Sequence, residues 1–163
     1  MNQAARTVTD WLASAHPVPA QARREFDAGI ALVPTGEKFD AIRLPAPIVH
    51  AAARNEDPDA VAAFLARALP GGAVIHDAYD IGVWYYALVP AGTYADWRVP
   101  GVECLRPGTW LGVPRVDLTA PPGPHWALPP DAVGSTCSAR AVADLVEVGQ
   151  ARLRQMPTAE STL

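Results

Sequence analysis

Residues 82–93, GVWYYALVPAGT, constrain this chain more than any other stretch. A run of aromatic and β-branched residues that stops at Pro90 and leaves through a Gly-Thr turn reads as a strand. Side chains alternate across a strand, so Trp84, Tyr86 and Leu88 face one way while Val83, Tyr85, Ala87 and Val89 face the other. Both faces are apolar. Such a strand belongs in the middle of a sheet covered on both sides. The aromatics, Trp84 included, are therefore expected in the core rather than on a platform for stacking bases or sugars.

The rest of the chain supplies the covering layers. A helical stripe of Val8, Trp11 and Leu12 must stop near His16-Pro17, because a proline disfavours helix at the residue before it. A second short helix, AQARREFDAG, ends at Gly29. IALVP then reads as a strand closed by Pro34, and the turn TGEK leads into FDAIRLP, so these two strands are expected to form a β-hairpin. Residues 45–54 and 57–69 read as helices, the second announced by Asp57 as N-cap and Pro58 in the first turn. AVIHD, GVECL, TWLGVP and HWALPP are further short strands. From Ser138 onward Val142, Leu145, Val146 and Leu153 mark one face of a final helix.

Many of the 17 prolines stand at strand ends, where a missing N–H does no harm. The expected fold is one α+β domain over residues 1–156, a mixed or antiparallel sheet flanked by helices, with 157–163 as a flexible C-terminal tail. At least four strands, from residues 30–33, 39–44, 83–89 and 109–113, should form its sheet against the helix containing Phe64.

At 163 residues the chain has the length of one domain, and 50% hydrophobic with 18% charged residues is the composition of a folded protein. No apolar run approaches the roughly 20 residues of a membrane span, and the N-terminus lacks the basic start and unbroken apolar stretch of a signal peptide. Cys104 and Cys137 are too few for a disulfide framework and show no metal-binding spacing. A cytoplasmic protein without membrane association is expected. The net charge of −4, with Lys38 the single lysine, argues against avid nucleic-acid binding, because cationic side chains supply most of that affinity.

Candidate chemistry is sparse. His16, His50, His76 and His125 are scattered, and His76-Asp77 with Asp80 is the one local His/Asp cluster, readable as a turn or as a metal or proton-transfer site. Ser135 to Ser138 read as a helix cap rather than a nucleophile patch. The glycines of PGG and PAGT lack the context of a phosphate loop. Arg23-Arg24 and Arg152-Arg154 read as solvated basic pairs.

From Gly29 to Pro130 the order of segments resembles the prim-pol domain of bifunctional DNA primase/polymerases, in the archaeo-eukaryotic primase superfamily. GIALVPTGEK is similar to that family's opening strand and turn. FDAIRLP stands where the family's strand carries an Asp-x-Asp metal-binding pair, and GVWYYALVPAGT where a strand carries Gly-x-His-x-Tyr-Phe followed by Val-Pro. GVECLRPGTWLGVP and HWALPP resemble the later strands. The resemblance implies an RRM-like core. It also implies lost catalysis: Arg43 and Pro45 replace the acidic pair, Trp84 replaces the histidine, and only Glu103 keeps an acid. A guanidinium and a proline ring cannot ligate the two divalent metals that nucleotidyl transfer needs.

The implied role is a catalytically inactive prim-pol-like domain serving as a protein-interaction or regulatory module. It would have no cofactor, no metal and no catalytic residue, and its former groove would be lined by Arg43, Trp84, Tyr86 and Glu103. Two alternatives stay open. One is a nucleotide or single-stranded nucleic-acid binding domain. The other is a metal-dependent enzyme using His76, Asp77, Asp80 and Glu103. A protein partner is expected, and the oligomeric state is left open.

Overall fold

The computed structural model describes residues 2–79 and 82–156; the expected tail, 157–163, lies outside them. In chain order the elements are α1 (Gln3–Ala13), α2 (Pro19–Asp27), β1 (Ile30–Pro34), β2 (Phe39–Pro45), α3 (Ala46–Ala53) and α4 (Pro58–Ala68). There follow β3 (Ala73–Tyr79), β4 (Gly82–Pro90), the short α5 (Thr93–Asp96), β5 (Glu103–Cys104), β6 (Trp110–Pro114), β7 (His125–Leu128) and α6 (Ala139–Gln155). Local signals account for the boundaries. Asp57 and Ser138 cap α4 and α6, their side chains accepting the N–H groups of Ala60 and Ala141. β1, β2, β4 and β6 each end on a proline.

The fold is α+β. A five-stranded sheet has the order β5-β2-β4-β3-β7, and all its pairings are antiparallel. β4 is its central strand, as a run apolar on both faces requires. Each face carries its own core. On one, Ile42, Leu44, Val74, Tyr85, Ala87 and Val89 pack with residues of α3, α4 and α6. On the other, Phe39, Ala41, Ala73, Ile75, Leu88 and Trp126 pack with α1, α2, β1 and β6. Phe64 of α4 joins the first core from its partly buried rim.

The expected hairpin does not form. β1 pairs with β6, Ile30 opposite Pro114 and Pro34 opposite Trp110, in a separate two-stranded ribbon, while β2 pairs with β4 and β5. The four-stranded sheet expected from residues 30–33, 39–44, 83–89 and 109–113 is accordingly divided between two layers. The TGEK turn is real: Gly36 has φ 114° and its N–H reaches the Phe39 carbonyl. The chain nonetheless changes layer there, since Thr35 donates to the Thr109 carbonyl and accepts from the Gly108 N–H, which commits the end of β1 to β6. A turn sets the reversal of the chain, and the buried partners of Ala31 and Val33 decide which strand lies alongside.

α3 and α6 approach closely where Gly149 meets Ile48: a Cβ on Gly149 would run into the Ile48 carbonyl. Arg152, one turn further, donates to the carbonyls of Ala51 and Ala52 at 3.2 and 2.5 Å. This basic residue, read from sequence as solvated, satisfies the C-terminal end of α3, where carbonyls lack intrahelical partners.

Candidate functional site

Period-two alternation and register assemble one cluster on the α1/α2 face of the sheet, at its Gly82 end. Arg43 of β2 lies opposite Tyr86 of β4 and opposite Glu103 of β5, and Pro45 lies opposite Trp84. Arg43, Trp84, Tyr86 and Glu103, singled out from sequence, therefore come together. The Arg43 guanidinium lies 4.2 Å from the centroid of the Trp84 ring and donates from Nη2 to a Glu103 carboxylate oxygen at 2.9 Å. A cation over an indole face and a salt bridge through the same group hold Arg43 in place. The ion pair is open to solvent, with side-chain exposures of 37% and 57%, so it is worth no more than about 1 kcal/mol.

Trp84 corrects an expectation. It is half-buried and belongs to neither core, as does Tyr86, which packs against the edge of the second core. Only Tyr85 of the three aromatics is buried, at 1% exposure. The reason is coverage: α1, α2 and the β1–β6 ribbon reach as far as Ala41, Ile75 and Leu88 and leave the next row of the sheet open.

Asp77 sits on this open face too, opposite Trp84 on β3. Burial raises its carboxyl pKa, opposed by His125, and among the described residues neither its Oδ1 nor Arg43 Nε has a hydrogen-bond partner. Burial also raises the Tyr86 phenol; Arg43 beside it acts the other way, and the charge of Asp77 adds to the rise. The row thus carries cationic, phenolic and carboxyl groups within one patch. Beside it, Arg43, Pro45, Trp84, Gly101, Val102 and Glu103 line a cavity of about 360 Å³. A roomier cavity, about 630 Å³, lies between the C-terminal ends of α3 and α6 and has no part in this cluster.

The alternative constellation of His76, Asp77, Asp80 and Glu103 does not assemble. His76 points to the opposite face, stacked on Tyr85 with ring centroids 4.3 Å apart and planes 2° from parallel, and Asp80 lies outside the described residues. Among the described residues no three His, Cys, Asp or Glu side chains are grouped to hold a metal ion. Asp40 is fully buried, but its Oδ2 accepts the N–H groups of Gly92 and Tyr94 and secures the turn into α5. Cys137 is buried, its thiol pushed up to about 11, and Cys104 to about 12, both mainly by burial. Neither forms a thiolate near neutral pH.

A second cluster was not legible in the sequence. His76 stacks on Tyr85, His50 meets the Tyr85 ring edge-on at 6.2 Å, and His125 meets His76 at 5.0 Å. Burial, with smaller contributions from His125 and His50, brings the His76 pKa down to about 4. It is a neutral, structural imidazole at neutral pH.

Comparison with known proteins yields no match among family models, curated proteins or solved structures.

Proposed function

We propose that this chain is a catalytically inactive, prim-pol-like domain that works in the cytoplasm as a protein-interaction or regulatory module, without metal or cofactor. The observation that carries the proposal is the lodging of Arg43 between the Trp84 ring and the Glu103 carboxylate. A guanidinium occupies the position from which the resemblance would have a carboxylate hold a metal, and the remaining acid is already engaged by it. Two-metal phosphoryl chemistry needs several carboxylates free to bind cations, whereas Glu103 is paired with Arg43. In support, among the described residues no helix is long and apolar enough to cross a membrane.

A second reading, nucleotide or single-stranded nucleic-acid binding, is favoured by the open sheet face with half-buried Trp84 and Tyr86 beside a cation, since aromatic sheets bind bases by stacking. One set of measurements separates the two. Primed and unprimed templates with nucleotides and Mg²⁺ or Mn²⁺ should show no incorporation; incorporation that disappears in Glu103→Ala would overturn the inactive reading. Oligonucleotide anisotropy should show weak binding, because Arg43 is neutralised by Glu103 and supplies little counterion release. Tight binding that persists at high salt and is lost in Trp84→Ala would establish the second reading instead.

A further inference from the structure

The open sheet face repeats one pattern with a member missing. Across β2, β4 and β5 a guanidinium, an indole and a carboxylate are all present, since Arg43 lies over the Trp84 ring and donates to Glu103. Across β4 and β3 the aromatic and acidic members recur without a cation. Asp77 stands directly opposite Trp84, and Tyr86 is two residues along β4, so the three side chains leave the same face. Among the described residues Asp77 takes part in none of the ion pairs, and its Oδ1 is buried with no hydrogen-bond partner. A carboxyl drawn out of water with no donor beside it weakens a fold. A bound cation would supply the donor. We propose that Asp77, Trp84 and Tyr86 receive an arginine side chain from a basic segment of a partner protein.

Three observations select this occupant. The first is charge. Arg43 and Glu103 offset one another, so Asp77 leaves the patch with a negative balance in a chain of net −4. A basic segment is drawn towards such a surface and a phosphate is repelled by it. The second is shape. Trp84 and Tyr86 are half-buried, and so is Asp77, so ring surface and carboxylate can be reached from the open face. A guanidinium is flat, stacks on aromatic rings and donates two parallel N–H groups to one carboxylate, which an ammonium cannot do. Arg43 shows that this face holds a guanidinium between a ring and an acid. The third is room. The cavity of about 360 Å³ beside Trp84, walled by Pro45, Gly101 and Val102, can take the residue next to the arginine in such a segment. The inference rests on the protein-interaction reading above and deepens it by naming the chemistry of the partner.

Anisotropy of a fluorescein-labelled hexa-arginine peptide, titrated with the full chain at physiological salt, tests it. Wild type should bind hexa-arginine several-fold more tightly than hexa-lysine. Asp77→Asn removes one charge at constant size and should weaken hexa-arginine binding about tenfold, the scale of a lost charge-assisted contact. Its melting temperature should hold or rise, because a carboxyl without a partner has been removed. Glu147→Gln takes the same charge from an exposed position on α6 and should leave binding within about twofold, since exposed charges far from the contact are screened. Trp84→Ala, which keeps Asp77 and removes a ring, should weaken binding as well. Equal losses in Asp77→Asn and Glu147→Gln would reduce the attraction to net charge and overturn the proposal. Equal affinity for the two peptides, undiminished binding by Trp84→Ala, or a melting temperature that falls by several degrees in Asp77→Asn would overturn it too. If any of these occurs while oligonucleotide binding stays weak and no nucleotide is incorporated, this inference falls alone. Tight oligonucleotide binding that displaces the peptide overturns it together with the interaction reading.

Discussion

Trp84 and Tyr85 are adjacent on β4 and meet opposite fates. Tyr85 is 1% exposed, stacked on His76 and met edge-on by His50, whereas Trp84 is half-buried beneath the Arg43 guanidinium. The two rings differ little in apolarity. What separates them is that α3, α4 and α6 pack over one face of the sheet, while the helices and ribbon on the other face leave the row of Arg43 and Tyr86 open. The same strand is thus core on one side and surface on the other. An aromatic residue's contribution to stability follows from what lies above it, and the open side is where ligands or partners have access.

Changes to the covered ring should have the largest effect. Tyr85→Ala empties a buried aromatic and is expected to cost about 3–5 kcal/mol, read from chemical denaturation; a loss below about 1 kcal/mol would mean that the two faces are not differently packed. Next comes pH. The folded-state pKa of His76, about 4, is below the usual histidine value. The unfolded chain therefore takes up this proton more readily as pH falls. Its stabilising contribution is fully present above about pH 6.5 and is lost on acidification towards pH 4. The His76 ring is faced by Tyr85 and His125, and the charge of His50 also disfavours its protonation. His76→Phe, which keeps a ring against Tyr85, should show a shallower fall in stability across this window than wild type; identical slopes would remove His76 from the acid response.

On the open face effects should be small. Trp84→Ala is expected to cost about 1 kcal/mol, the scale of an exposed cation–π contact with partial burial. A cost matching that of Tyr85→Ala would erase the contrast between the faces. The smallest effect belongs to Glu103→Gln, at about 0–1 kcal/mol and diminished by salt, because both partners of its ion pair are solvated. Thermal melts at low and high ionic strength measure it.

Much of the architecture was legible because the signals are local. The alternation in GVWYYALVP placed β4 at the centre, Asp57 and Ser138 announced α4 and α6, and the prolines marked strand ends. The convergence of Arg43, Trp84, Tyr86 and Glu103 was anticipated through the resemblance, and cross-strand register brings these residues side by side. The pairing of β1 was misread because TGEK is a sound turn whose flanking strands belong to different layers; partner choice depends on long-range burial, which a turn does not encode. The stacking of His76 on Tyr85 escaped notice for a related reason. The residues are nine apart in sequence, and register between β3 and β4 alone makes them neighbours.

What the sequence by itself determined is which of the longer segments are helix or strand and that the central strand is apolar on both faces; the short α5 and the shrinking of GVECL to a strand of Glu103–Cys104 were not read from it. The two determinations follow from dihedral restriction, capping and period-two patterning, all interactions within a few residues. Only the tertiary structure decided that β1 joins β6 rather than β2, that Tyr85 is enclosed while Trp84 is left open, and that Arg43 finds both a ring and a carboxylate. Each of those outcomes depends on surfaces distant in the chain excluding water together, and no local pattern records which distant surface will arrive.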